Sequence, residues 1–103
     1  MNKAEISLVG FEIVAYAGDA RSKLLNALTL AKEGNLKEAE CLVSEAKKLL
    51  ADAHKNQTDV LSAEAKGENT EIGFIMVHAQ DHLMAALLLC DIIGHLFDIY
   101  KKG

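Results

Sequence analysis

Proline is absent from the 103 residues of the chain, and cysteine occurs only twice. Without proline, the chain lacks the residue that most strongly interrupts helices, and its abundant Ala, Leu, Glu and Lys are good helix formers. Cys41 and Cys90 form no C-x-x-C pair, so neither a disulfide framework nor a thiolate metal site is indicated. We expect both to be reduced packing residues. The composition therefore predicts an all-α protein.

Long hydrophobic runs and clusters of basic residues are missing as well. The longest unbroken apolar run, Leu83–Cys90, is far shorter than the roughly 20 residues of a membrane-spanning helix. The amino-terminal residues do not have the pattern of a secretory signal. The formal net charge is −4 and the lysines are scattered, which argues against a nucleic-acid surface. We expect one soluble, cytoplasmic domain spanning residues 1–103.

Hydrophobic periodicity predicts two amphipathic helices in the first part of the chain. The first runs for about eight turns. Its apolar face consists of Ile6, Ile13, Ala17, Ala20, Leu24, Ala27, Leu28 and Ala31. The second is expected from near Leu36 to near Gly67. Its apolar face consists of Leu36, Ala39, Val43, Ala46, Leu50, Ala53, Gln57 and Val60. Gln57 is the one polar residue on this second face.

The turns between the helices carry glycine stops followed by capping residues. Gly34–Asn35 and the segment 67–70 are each expected to supply a left-handed stop and then a capping side chain. Asn35, with Glu38 three residues later, fits the N-x-x-E pattern of a capping box. A third helix is therefore expected from about residue 71 to residue 102.

This third predicted helix is apolar around nearly its whole circumference instead of on one face. Two partner helices can cover only part of such a surface, so a helix of this kind needs further neighbours. We predict an antiparallel three-helix bundle, running up, down and up, that associates with other copies of itself.

Polar side chains on the third helix fall on two arcs when successive residues are placed about 100° apart. On the first arc, His78, Asp81 and His82 are spaced i, i+3 and i+4. One such histidine alone would more simply be a hydrogen-bonded core residue, but the three together indicate a site. The second arc is interpreted as a solvated edge or a helix contact. Its members are Gln80, Asp91, His95 and Asp98.

Histidine can act as an acid, a base, a metal ligand or a phosphoryl acceptor near neutral pH. A zincin needs glutamate directly after the first histidine, whereas Ala79 occupies that position and no third ligand is evident. There is no Gly-x-Ser-x-Gly turn, no phosphate-binding glycine loop and no signature of an activated cysteine. Phosphoryl transfer through histidine is the remaining chemistry, since a neutral imidazole attacks phosphorus and later leaves readily.

Three parts of the sequence resemble one protein family. Val77–Met84, with its H-A-Q-D-H core, is similar to the signature of the lactose/cellobiose-specific IIA components of the bacterial phosphotransferase system. Gly10–Ser22 resembles the opening of lactose-type members, and Ala53–His54 followed by Gln57–Thr58 resembles a mid-chain motif of the wider family. The resemblance covers the whole chain. It implies a homotrimer of three-helix bundles that serves uptake of a lactose- or cellobiose-type disaccharide.

The resemblance also implies roles for individual residues. His78 would be the catalytic residue, accepting a phosphoryl group on Nε2 from phospho-HPr and donating it to a cysteine of the IIB component, with the membrane component IIC an indirect partner. Asp81 would lie on the trimer axis as a ligand of one shared divalent cation, Mg²⁺. Three carboxylates converging in a low-dielectric interior repel one another, and a hard cation relieves that repulsion. The cation is therefore expected to be structural.

His82 is expected to support His78, either by presenting an imidazolium to the phosphoryl oxygens or by holding the His78 ring through a hydrogen bond. Gln80 should point away from that side of a straight helix. The backbone amides near His78 are used within the helix and cannot bind an anion. The phosphoryl group must therefore project into a groove between helices.

Three residues outside this motif have simple structural interpretations. His54 and Gln57 are expected to hydrogen-bond across the bundle and fix its register rather than to act in the site. Gly18, with Ala17 and Ala20, most simply lets helices approach closely.

Arg21 allows two interpretations. It could form an exposed ion pair with Asp19 or Glu12, which would contribute little to stability. Alternatively, it could meet a carboxylate at the interface between subunits.

Two rival functions need no sugar uptake. One is a non-catalytic helical adaptor whose histidines pack or bind metal, and the other is a histidine phosphotransfer domain of a signalling relay. A relay domain would present its histidine on a monomer and would not require an apolar helix as long as residues 72–99.

Overall fold

The computed structural model describes residues 1–102 and contains three α-helices and no β-strand in that range. Helix α1 spans Lys3–Lys32, α2 spans Leu36–Ala65 and α3 spans Phe74–Lys102. The predicted all-α class and the number of helices are confirmed.

Polar contacts between helices fix the helix directions. These contacts are Asn56 Nδ2 to Glu12 Oε2 at 3.0 Å, Lys23 Nζ to Glu45 Oε2 at 3.8 Å, Gln57 Nε2 to Gln80 Oε1 at 2.8 Å, and Lys101 Nζ to Glu40 Oε1 at 3.4 Å. Residue numbers rise on one helix as they fall on its partner, so α2 is antiparallel to both α1 and α3. Helices α1 and α3 are therefore parallel. Helix α1 packs closely against both neighbours, whereas α2 and α3 meet along a more open seam.

The first two helices end as the sequence predicts. Gly34 and Gly67 have φ values of 89° and 81°, in the left-handed region that glycine adopts at little cost. After Gly34, the backbone N–H of Asn35 donates to the backbone carbonyl of Leu30 at 2.8 Å, and the equivalent backbone hydrogen bond is formed after Gly67. These are Schellman motifs, which satisfy the last carbonyl groups of a helix. They turn the chain sharply enough to keep both loops short.

The capping box lies at a different helix from the one predicted. Asn35 makes no side-chain cap hydrogen bond, so the predicted box with Glu38 is wrong. The backbone of Asn35 is held by the Schellman motif at φ −90° and ψ 60° instead of the extended conformation typical of a capping residue. At α1, the Asn2 side-chain oxygen accepts from the backbone N–H of Glu5 at 2.8 Å, and the Glu5 carboxylate accepts from the backbone N–H of Asn2 at 3.1 Å. The reciprocal box therefore caps α1.

Helix α3 starts later than predicted. It begins at Phe74 rather than near Glu71. In the preceding loop, Asn69 contributes its backbone carbonyl, which accepts a hydrogen bond from the Met1 ammonium at 3.2 Å, rather than a capping side chain. The loop is thereby attached to the start of α1 instead of forming a first helical turn.

The core of the bundle is built largely from alanine. Ten of the twenty buried apolar residues between residues 1 and 102 are alanine, including Ala17, Ala20 and Ala46. The two predicted faces of α1 and α2 are buried, with Leu28 and Leu36 only half-buried. Small side chains let helix axes approach closely, but each removes little apolar area from water. The single bundle therefore has a thin core.

Large apolar side chains are instead exposed, above all on α3. The face of α3 opposite its core residues is an uncovered line, which we call the outer stripe. The outer stripe consists of Phe74, Val77, Asp81, Met84, Leu88, Ile92, His95 and Ile99. Its apolar members are between 43 and 83% exposed. The prediction that two neighbours cannot cover this helix is confirmed for the single chain.

Helix α3 is more apolar overall than its longest unbroken apolar run suggests. By length and composition alone it is apolar enough to cross a membrane, and 22% of its most apolar window is buried in the bundle. The longest unbroken apolar run is short because isolated polar residues interrupt the apolar part of α3. The core helix of a soluble protein can meet the same criterion.

Candidate functional site

His78 and His82 lie one turn apart on α3 and touch. Their ring centroids are 4.4 Å apart and their planes meet at 64°, an edge-to-face contact. His78 is exposed and His82 is half-buried. Within residues 1–102, neither imidazole takes part in a hydrogen bond, so His82 does not hold His78 in that way. The ring nitrogens of the exposed histidine are therefore available to a reactant.

Asp81 is exposed and belongs to the outer stripe, between Val77 and Met84. Within residues 1–102 there is no group of three or more His, Cys, Asp or Glu side chains that could hold a metal ion. One chain therefore offers a cation a single carboxylate at this position. A carboxylate is a suitable oxygen ligand for Mg²⁺, but further ligands have to come from other copies or from water.

A hollow beside His82 is lined by one residue whose position there cannot be predicted from the sequence. Arg21, Asp81, His82 and Ala85 line a space of about 260 Å³ between α1 and α3. The parallel run of these two helices brings Arg21 there. The spacing of residues along α3 cannot predict this position, because Arg21 belongs to α1. The sequence does set Arg21 apart in one way, since it is the only arginine in the chain.

Gln57 and Gln80 form a contact on the other side of α3. Gln57 is only 7% exposed, and its Nε2 donates to Gln80 Oε1 at 2.8 Å. The prediction that Gln57 hydrogen-bonds across the bundle is confirmed, and Gln80 points away from the histidine pair as expected. The second polar arc is thus a helix contact at Gln80 and exposed at Asp91 and Asp98.

His54 is not brought to the histidine pair. It is exposed on α2, where it lines a hollow of the α2–α3 seam with residues that include Leu87 and Asp91. Its side chain makes no hydrogen bond within the described residues, so its predicted role in fixing register is wrong. His54 lies too near the surface to need a partner other than water.

The two cysteines differ in environment. Both are free, but Cys41 is exposed, so its predicted packing role is wrong, whereas Cys90 is half-buried. Burial raises the pKa of the Cys90 thiol, Asp91 adds to the rise, and Lys47 opposes it. A thiol with a raised pKa has little thiolate at neutral pH and is a poor nucleophile. Cys90 therefore packs and does not compete with the histidines.

The close helix approach occurs at a different glycine from the one predicted. A Cβ atom at Gly18 would meet nothing within 4 Å, whereas one at Gly10 would lie 3.3 Å from the backbone of Met76. Gly10 is buried and lets α1 approach the start of α3. Gly18 faces open space, so its part in the predicted close approach is wrong, whereas Ala17 and Ala20 are buried in the bundle.

The sequence and the fold match a known family. Residues 8–101 match the family model of the phosphotransferase system lactose/cellobiose-specific IIA subunit. The chain belongs to this family. The predicted resemblance is confirmed, and the protein is a IIA component of the phosphotransferase system rather than a signalling-relay domain.

Known relatives are similar to this IIA component in sequence or structure over nearly its full length. It is 57% identical over 103 residues to the lactose-specific EIIA component of Staphylococcus epidermidis, covering all of this chain and 99% of that protein. It is similar to the crystal structure of PtcA from S. mutans, with a TM-score of 0.94 and 40% identity over 98% of this chain and 99% of the other. It is also similar to a solution structure of the IIA(chitobiose)–HPr complex of Escherichia coli, with a TM-score of 0.80 and 29% identity over 94% of each chain.

Proposed function

We propose that this IIA component is a phosphocarrier in which Nε2 of His78 accepts a phosphoryl group from phospho-HPr and passes it to a cysteine of the IIB component. The exposed His78 ring, free of hydrogen bonds and packed against His82, carries the proposal. An acceptor that serves two docking proteins has to be reachable from outside. The raised pKa of the Cys90 thiol argues against that side chain as the acceptor.

The proposed transfer needs no oxidant and no added proton. The Nε2 lone pair forms the new P–N bond while the P–N bond of the donor breaks and its electron pair returns to the donor ring. Each ring keeps the N–H on its other nitrogen throughout. The step on to IIB forms a P–S bond as the P–N bond breaks, and the thiolate supplies the electron pair. Catalysis then depends on placing the two rings and balancing the phosphoryl charge.

His82 is proposed as a supporting residue. Its edge-to-face contact with His78 restricts the orientations of the acceptor ring, which lowers the entropy lost on reaching the transfer geometry. When protonated, His82 would also present positive charge beside the phosphoryl oxygens.

HPr is proposed as the phosphoryl donor, and the similar fold of the chitobiose IIA protein bound to HPr supports that assignment. IIB is the proposed acceptor and IIC the membrane component that is served indirectly. We place the protein in the cytoplasm with HPr. The lactose-specific EIIA relative at 57% identity supports a lactose- or cellobiose-type disaccharide as the transported sugar.

Assembly as a homotrimer is proposed through the outer stripe of α3. A long line of exposed apolar side chains costs free energy in water, and burying it against the same line on two other copies removes that cost. Asp81 lies within this line. Three Asp81 carboxylates would hold one Mg²⁺, which would supply the positive charge that a buried cluster of carboxylates needs.

Incubation with phosphoenolpyruvate, Enzyme I and HPr tests the phosphocarrier proposal. We expect an acid-labile, base-stable phosphoryl adduct on the wild-type protein, none on His78→Ala, and a slower but detectable adduct on His82→Ala. His54→Ala, which changes an exposed histidine of α2 away from the histidine pair, is the matched control and should be labelled like the wild type.

Two outcomes would contradict the assignment. Label retained in His78→Ala and lost in His82→Ala would show that the neighbouring ring is the acceptor. No label on the wild-type protein would favour a non-catalytic adaptor.

A further inference from the structure

Arg21 is the only arginine in a chain whose other ten basic side chains are lysines. It lines the hollow beside the histidine pair, together with Asp81, His82 and Ala85. A guanidinium group presents several N–H donors in one plane and binds two phosphoryl oxygens at once, whereas an ammonium group acts as a point charge. The side chain best suited to bind a phosphoryl group thus lines the same hollow as His82, the ring that contacts the proposed acceptor.

The charge of Arg21 is not used elsewhere in the bundle. Within residues 1–102, no carboxylate lies within 4.0 Å of its guanidinium, and the ion pairs there are formed by Lys23 and Lys101. Glu12, one of its predicted partners, instead accepts a hydrogen bond from Asn56. The ion pairs that the sequence allowed for Arg21 are therefore not formed in the single chain.

The direction of the helices points Arg21 toward the acceptor. Gly10 of α1 lies against Met76 of α3, and the helices run parallel from there, so the backbone of Arg21 lies near the level of Leu87. Long side chains on helices lean toward the amino-terminal end. That lean accounts for the contact of Arg21 with the hollow at Asp81–Ala85, and His78 lies one further turn along α3 in the same direction.

The site otherwise lacks a net positive charge. Backbone amides in the middle of α3 are bonded within the helix, and three Asp81 carboxylates with one Mg²⁺ would keep a net charge of −1, which repels a phosphoryl group of about two negative charges. A dianion on His78 therefore needs a cation from outside α3.

We propose that Arg21 is a catalytic residue, supplied by α1, that binds the phosphoryl oxygens on His78 and shields them from Asp81. The proposal rests on the proposed phosphocarrier function and adds to it the group that balances charge. Because the guanidinium binds the transferring group and not the imidazole, its loss should slow transfer and shorten the life of the adduct while leaving the fold intact.

An arginine-specific dicarbonyl reagent such as phenylglyoxal tests this in the intact protein, since each chain can react only once. The wild-type protein, phosphorylated and then freed of HPr, should be modified several-fold more slowly than the unphosphorylated protein. Equal rates for the two forms would overturn the proposal.

Variants supply the second test. Arg21→Gln should reduce the rate of labelling by phospho-HPr by roughly 10- to 100-fold, as expected for loss of a charge-assisted hydrogen bond, and Arg21→Lys should recover part of it. Lys23→Gln is the matched control, because it removes one positive charge two residues away at an ion pair on the α2 side. Thermal unfolding and particle mass should be unchanged in all three variants.

The outcomes separate the two proposals. If the wild type is labelled on His78 while Arg21→Gln is labelled as fast as Lys23→Gln, the role of Arg21 is wrong and the phosphocarrier function stands. Label on His78→Ala contradicts His78 as the acceptor, and no label on the wild type contradicts the phosphocarrier function itself.

Discussion

The amide group of Gln57 donates to the side-chain oxygen of Gln80 at 2.8 Å across the seam between α2 and α3. Gln57 is the one buried polar residue among residues 1–102, on a helix face otherwise made of alanine, leucine and valine. A buried amide left without a partner is costly, so this pair favours one register of α3 against α2. The contact also fixes which side of α3 faces the seam, and it thereby turns the histidines toward α1.

Gln80→Leu should destabilise the protein by about 1–3 kcal/mol, because it leaves the Gln57 amide buried without an acceptor. The double variant Gln57→Leu with Gln80→Leu should recover much of that loss, since neither buried polar group remains. Urea unfolding followed by circular dichroism, at one fixed protein concentration, measures both. A double variant less stable than Gln80→Leu would show that the pair is not the source of the cost.

Two glycines of α1 should respond in opposite directions to alanine. A Cβ at Gly10 would lie 3.3 Å from backbone atoms of Met76, which cannot move aside as a flexible side chain would, so Gly10→Ala should destabilise the bundle. Gly18 has nothing within 4 Å of the added atom, and Gly18→Ala should stabilise α1 by about 0.5–1 kcal/mol. Thermal unfolding of both variants checks the pair. A loss of stability in Gly18→Ala would mean that another chain packs there.

The sequence predicts the helices and the inner faces of α1 and α2 because these depend on local periodicity. Burial of Ile13, Leu24 and Leu50 follows from one repeat along each helix. The glycine stops at Gly34 and Gly67 are equally local, since a left-handed residue is needed wherever a helix ends in a Schellman motif.

The remaining features depend on how separate helices meet. The place of Arg21 beside His82 follows from the parallel packing of α1 and α3, which no spacing along one helix reveals. The close approach occurs at Gly10 and not Gly18 because the two glycines lie on different sides of α1, and only contact with Met76 distinguishes them. The failed cap at Asn35 has a similar cause, since the preceding turn fixes its backbone before its side chain can cap.

The two asparagines before α1 and α2 should differ in their contribution to stability. Asn2→Ala removes a bond of 2.8 Å to the Glu5 amide and should cost about 1 kcal/mol. Asn35→Ala removes no cap bond and should cost much less. Comparison of the midpoints of denaturant unfolding checks this. Equal losses in the two variants would contradict the difference in capping.

Charge on the outer stripe of α3 should break the proposed trimer. Leu88 on the stripe and Leu8 on α1 are 62 and 65% exposed, so a glutamate at either position costs little in the single chain. In the assembly, Leu88→Glu would bury charge among apolar side chains, which costs several kcal/mol per ion, whereas Leu8→Glu would remain in water. Light scattering should return about one-third of the wild-type mass for Leu88→Glu and the wild-type mass for Leu8→Glu. An unchanged mass for Leu88→Glu would place the interface elsewhere.

Asp81 should determine both the bound cation and the response of the assembly to it. Two like unit charges about 4 Å apart repel by about 4 kcal/mol at an effective dielectric constant near 20, so three carboxylates without a cation would oppose association. Chelation of Mg²⁺ should therefore raise the trimer dissociation constant of the wild type. Asp81→Ala should bind no metal and should not respond to chelator, because the ligand and the repulsion are removed together. Asp98→Ala, which changes an exposed aspartate of the same helix off the outer stripe, is the matched control and should keep the metal. Equal metal content in Asp81→Ala and the wild type, measured by elemental analysis, would show that Asp81 is not the ligand.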